Sequence, residues 1–227
     1  MSTAAQASPP RRGWAPARPA LLAAALVALF LALLVVATAW PGPDEAAHDW
    51  VLDHVPAARR VAWEEGSWPG ESLVGLGVGL AGAVACALLG ARRRAVVAAA
   101  SAVFLAASVQ VLKAAVGRDR PDGAEEATAA FPSGHAATAL FAYGLIVLVV
   151  MPALVQRWPR MRPFMPFAVG LWIGLALSVG VARVLGGVHW PTDVLAGWAW
   201  GGLVLTGADA AAAPGPRPES TRAPQRI

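Results

Sequence analysis

Three short stretches of this chain carry residue types that act together on a phosphoryl group. The first is Lys113-Ala114-Ala115-Val116-Gly117-Arg118-Asp119-Arg120-Pro121, the second Pro132-Ser133-Gly134-His135, and the third runs from Arg183 to Asp193 and holds His189. Lys113, Arg120 and Arg183 are fixed cations, His135 and His189 are proton carriers or nucleophiles, and Asp193 is a carboxylate. All of them adjoin long apolar runs, where an ionisable side chain is costly and marks function by default. Lys113 is also the only lysine in the chain. In phosphoryl transfer, charge spreads over three equatorial oxygens, so catalysis is mostly positioning and electrostatic stabilisation. Guanidinium groups bind such oxygens bidentately, and a lysine adds a mobile point charge.

Local geometry assigns roles within the second and third stretches. Ser133 is a good helix-cap residue, and Gly134 lets a ligand approach the backbone. The helix that follows would offer N–H groups and a positive dipole end to an anion. His135, in its first turn, is placed to protonate a leaving oxygen. Pro191 suits a first helical position, which sets Asp193 in a first turn where carboxylates are favoured. His189 lies four residues earlier; a carboxylate bonded to one ring nitrogen leaves the other as a basic nucleophile. Arg183, six residues before His189, is in reach of the same phosphate. No magnesium cage is apparent in these loops, and no cofactor is implied.

In order and spacing the three stretches resemble the type-2 phosphatidic acid phosphatase family, whose wider superfamily includes the vanadium haloperoxidases. The pattern K-x6-R-P, P-S-G-H, S-R-x5-H-x3-D is matched throughout, except that Ala182 stands where the family usually has serine. The resemblance implies that His189 attacks phosphorus to give a phosphohistidine, with Asp193 orienting it and His135 protonating the departing group. Lys113, Arg120, Arg183, Ser133 and the Gly134 N–H would hold the phosphoryl oxygens, and no metal is needed. Arg118 and Asp119, between the fixed positions of the first motif, receive no role. The serine-to-alanine departure puts one supporting hydrogen bond in doubt.

These residues need a scaffold, and the composition says which kind. Of 227 residues 57% are hydrophobic and only 14% charged, against about 25% charged in a soluble domain. Six apolar blocks, near 20–40, 72–89, 95–116, 135–154, 164–185 and 194–210, approach the roughly 20 residues that cross a bilayer. The expected fold is therefore an all-α integral membrane protein, six transmembrane helices in a bundle. The second and sixth blocks are short and rich in Gly and Ala, which suits close helix contact. The first block exceeds the 7–15 residues of a signal-peptide core, although Ala37-Thr38-Ala39 has the look of a cleavage site.

Charge sets the orientation. Twelve of the 18 basic residues fall in the N-terminal tail, the second-to-third and fourth-to-fifth loops and the C-terminal tail. The positive-inside rule then places both termini in the cytoplasm and all three motifs on the extracytoplasmic face. It also accounts for the isoelectric point near 10.5 without any nucleic-acid partner. The expected layout is a cytoplasmic tail over 1–19, a membrane domain over 20–210 and a disordered cytoplasmic tail over 211–227. Within the domain, 41–71 is an extracytoplasmic loop. Its stretch Glu45–Trp63 reads either as an interfacial amphipathic helix or as a plain linker, with His48 and His54 solvated. Cys86 is expected only to pack.

The expected function is hydrolysis of a lipid phosphomonoester or diphosphate at the outer leaflet of an inner cell membrane. Phosphatidic acid, phosphatidylglycerol phosphate and polyprenyl diphosphate all qualify, because a membrane-edge site suits a substrate whose tail stays in lipid. A phosphotransferase using the same histidine is an alternative. An anion transporter is a third reading, against which stand the lack of an internal repeat and the clustering of charge at one membrane edge.

Overall fold

A computed structural model describes residues 17–121, 124 and 128–213, and among them every regular element is helical. Helix α1 spans Ala17–Ala39, α2 Gly42–His54, α3 Ala57–Gly66 and α4 Ser72–Leu88. Helix α5 spans Arg92–Val116, α6 Gly134–Leu145, α7 Met151–Arg157, α8 Met165–Leu185 and α9 Pro191–Ala212. The six expected apolar blocks correspond to α1, α4, α5, the α6–α7 rod, α8 and α9. Four stretches are long and apolar enough to cross a membrane: Arg18–Ala39, Arg92–Val116, Gly134–Arg157 and Pro159–Leu185. Helix α4, at 17 residues, is shorter, and α9 carries Asp193 and Asp209 along its 22 residues. The chain is thus a helical integral membrane protein. The expected tails lie largely outside the described residues, in 1–16 and 214–227.

Helix α9 is the axis of the bundle. Phe30, Leu33 and Ala37 of α1 pack with its Ala196 and Ala199. On another side, its Val204 and Leu205 join α5 and α6 around Leu105, Phe141 and Leu145. Contact with α6 is backbone to backbone. A Cβ on Gly197 would stand 2.5 Å from Ser133 O, and one on Gly201 2.5 Å from Ala137 O. Only glycine permits that approach, and it sets the start of α6 against the first turns of α9. The outer faces of α1, α4, α5 and α8 expose large apolar side chains such as Leu21, Leu73, Phe104 and Phe167, as lipid-facing surfaces do.

The rod formed by α6 and α7 is joined by a π-helical turn over Ile146–Val150. Pro152, which has no N–H to give, follows directly, and Arg94 Nη1 from the start of α5 donates to Val149 O at 2.9 Å. An arginine thus supplies a donor where the helix ladder is interrupted.

The connection between α1 and α4 matches neither expected form, one interfacial helix or a plain linker. Instead of one helix over Glu45–Trp63 there are two, because Pro56 disfavours α geometry in the residue before it; Val55 is extended at φ −107°, ψ 108°. Trp50, Trp63 and Trp68 are exposed. His54 is exposed as expected, its ring stacked 4.7 Å from that of Trp50. His48 is not solvated: it is 8% exposed and meets Trp190 edge-on at 5.4 Å. The reason is periodic, since Asp44, His48 and Val51 form the one buried face of α2.

Candidate active site

Local structure around His189 is built from its own sequence. Helix α8 ends in Gly186-Gly187, and Gly187, at φ 76°, takes the left-handed conformation that glycine adopts without strain. The carbonyl of Arg183 accepts from the backbone N–H of His189 at 3.2 Å and of Val188 at 3.3 Å. Trp190 then caps α9, and its N–H donates to Asp193 Oδ2 at 3.1 Å. Asp193 is therefore fixed by its role in starting the helix, and the same oxygen stands 3.2 Å from His189 Nδ1.

A carboxylate accepts only, so Nδ1 carries the ring proton and Nε2 presents its lone pair. Arg120 Nη1 stands 3.1 Å from that Nε2. A guanidinium there lies where the oxygens of a phosphoryl group on Nε2 would need a cation. Arg120 is oriented by donating to Val188 O at 2.8 Å and Thr128 O at 2.7 Å. His189 and Asp193 are 2% and 0% exposed, which strengthens each of these interactions.

The second stretch joins the third through the backbone. Ser133 N–H donates to Asp193 O at 2.9 Å, while its Oγ accepts from Ala136 N as the N-cap of α6. Gly134 begins α6, and a Cβ placed there would lie 3.9 Å from Lys113 Cε. Lys113, in the last turn of α5, donates to Ala129 O. His135 is half-buried in the first turn of α6; the Phe131–Pro132 peptide just before is cis.

Arg183 is 2% exposed and its Nη1 donates to Ser67 Oγ at 3.2 Å. Ser67 in turn donates to Glu64 O at 2.6 Å. The loop before α4 therefore holds this arginine from outside the motif, beside Ala182.

Three further residues belong to the cluster and were not singled out from the sequence: Arg118, Asp44 and Thr192. Arg118 Nη1 donates to Asp193 Oδ1 at 2.6 Å and Thr192 Oγ1 at 2.8 Å, and its Nη2 to Asp44 Oδ2 at 2.7 Å. Asp44 Oδ1 accepts from Thr192 N–H at 3.0 Å. Gly117 ends α5 in the left-handed conformation at φ 62°, and beyond it Arg118 and Arg120 both reach the 188–193 segment. Among the described residues no three His, Cys, Asp or Glu side chains are grouped to hold a metal ion.

The chain is similar in sequence and fold to known proteins. Over 113 residues the chain is 33% identical to a lipid A 1-phosphatase of Rhizobium etli, covering 44% of this chain and 42% of that protein. Over 99 residues it is 36% identical to phosphatidylglycerophosphatase B of Bacillus subtilis, covering 42% and 47%. The chain therefore matches less than half the length of these curated relatives. Its fold is similar to that of the crystal structure of a transmembrane PAP2 type phosphatidylglycerolphosphate phosphatase from Bacillus subtilis. The TM-score is 0.66 at 24% identity, over 85% of this chain and 94% of that one. Residues 91–209 match the PAP2 superfamily, a stretch that takes in all three motifs, and the chain belongs to that family.

Proposed function

We propose that this protein is a membrane lipid phosphatase releasing phosphate from a lipid phosphomonoester or diphosphate through a phosphohistidine on His189. The observation that carries the reading is the pairing of His189 Nδ1 with Asp193 while Nε2 faces the Arg120 guanidinium at 3.1 Å. The Nε2 lone pair forms the N–P bond as the P–O bond to the leaving group breaks, and His135 protonates the departing oxygen. His135 next takes a proton from water, whose oxygen attacks phosphorus as the N–P bond breaks, returning His189. Lys113, Arg120 and Arg183, with Ser133 and the Gly134 N–H, hold the phosphoryl oxygens.

Substrate candidates are phosphatidic acid, phosphatidylglycerol phosphate, a polyprenyl diphosphate such as undecaprenyl diphosphate and, given one relative's name, lipid A. Six helices cross the inner membrane in this reading, with both termini cytoplasmic and the site on the extracytoplasmic face, as the arginine distribution argues. The test is phosphate release by detergent-purified protein from each of these four lipids in excess EDTA, with His189→Ala as blank. Release from one lipid that the blank lacks supports the reading and names the substrate. No release from any of them by folded protein overturns it.

A further inference from the structure

We infer that Asp44, acting through Arg118, is a positioning residue for the His189–Asp193 pair; the inference rests on His189 being the phosphoryl acceptor. Asp44 lies on α2, outside the family-matched stretch 91–209, in a segment whose sequence shows no motif. It is nonetheless 2% exposed and makes three hydrogen bonds, two to Thr192 and one to Arg118. A buried carboxylate that accepts from that many donors is held in a fixed geometry.

Arg118 is gripped at both ends of its fork. Nη1 serves Asp193 and Nη2 serves Asp44, and its Cζ lies over the Trp190 ring, 5.4 Å from the centroid. The buried face of α2 meets the turn that carries the site at two points, with His48 on Trp190 and Asp44 on Thr192. Helix α2 thus braces the start of α9 from outside the membrane bundle.

Charge gives the brace a chemical consequence. On the Nδ1 side of the imidazole, opposite the Arg120 guanidinium at Nε2, Asp44, Asp193 and Arg118 sum to one net negative charge, beside a ring that becomes cationic when Nε2 bonds to phosphorus. Neutralising Asp44 would bring that sum to zero and leave Asp193 as the only carboxylate paired with the Arg118 guanidinium. Asp193 would then hold the Nδ1 proton less strongly, and the ring would lose both stabilisation and aim. Misplacement of a reacting group by about 1 Å can cost about 100-fold in rate.

Asp44→Asn is the decisive variant, because it keeps the shape and an oxygen for Thr192 while removing the charge that Arg118 meets. In full-length protein in detergent, kcat should fall about 10- to 100-fold. KM should stay within about twofold, and inhibition by vanadate, a mimic of the transition state, should weaken in step with kcat. Lysine lacks the fork that spans two carboxylates, so in an Arg118→Lys background Asp44→Asn should cost little more. If Asp44→Asn lowers the unfolding midpoint, Asp44→Glu decides: recovered kcat supports the inference, and kcat as low as that of Asp44→Asn overturns it. Wild-type kcat and vanadate inhibition in folded Asp44→Asn, or losses that multiply in the double variant, overturn the inference while leaving the phosphatase reading intact. A wild-type protein that turns over no lipid phosphate overturns both.

Discussion

His189 is the residue on which the proposed chemistry turns, and its test is direct. His189→Ala should lower phosphate release by at least about 1,000-fold, as loss of a covalent nucleophile does, with the detergent unfolding midpoint kept. Activity within about tenfold of wild type would remove the nucleophile assignment. Vanadate should inhibit the wild-type protein, since its trigonal-bipyramidal adduct on Nε2 resembles the transition state; an unchanged rate in millimolar vanadate would contradict it. At this scale the motif residues were legible because each sits in a short string whose spacing is itself the signal. Asp44 was not, because its partners Arg118 and Thr192 lie far along the chain and only the folded path of α2 brings them together. Arg118 was nearer to hand, since it lies two residues from Arg120 inside the first motif.

At the scale of elements, the apolar blocks announced the helices, and the small residues in α4 and α9 announced which helices touch closely. Gly197 makes this quantitative. A Cβ there meets the carbonyl of Ser133 at 2.5 Å, and backbone cannot swing aside as a side chain can. Gly197→Ala should destabilise the protein by about 1–3 kcal/mol and reduce turnover, because the displaced carbonyl belongs to the residue whose N–H binds Asp193 O. Gly174→Ala in α8, where a Cβ meets nothing within 4 Å, is the matched control and should leave the unfolding midpoint unchanged or raise it. The break at Pro56 was present in the sequence as a proline rule, yet the stretch around it reads only as one interfacial helix or as a plain linker. The face made by Asp44, His48 and Val51 is a helical period as well. A polar residue at two of its three positions hides it from any search for apolar stripes.

For the whole molecule, the proposed orientation can be read with thiols. Cys86 is the only cysteine and is fully buried, so Cys86→Ala provides a silent background. On intact cells an impermeant maleimide should label Glu65→Cys, exposed on α3, and should reach Arg160→Cys only after permeabilisation. The opposite pattern would invert the protein and put its site in the cytoplasm. The central place of α9 has a consequence in time. A ribosome delivers helices in chain order, and α9, the last described helix, brings Thr192 to Asp44 on α2 and Asp193 to Ser133 at the start of α6 and Arg118 just beyond α5. Until it inserts, the earlier helices have no Gly197 and Gly201 face to close upon. The nascent protein must hold a slot open in the bilayer, buried arginines included. A chain halted before residue 191 would carry His189 without the carboxylate that orients it, and Arg118 without Thr192 and Asp193 to hold it.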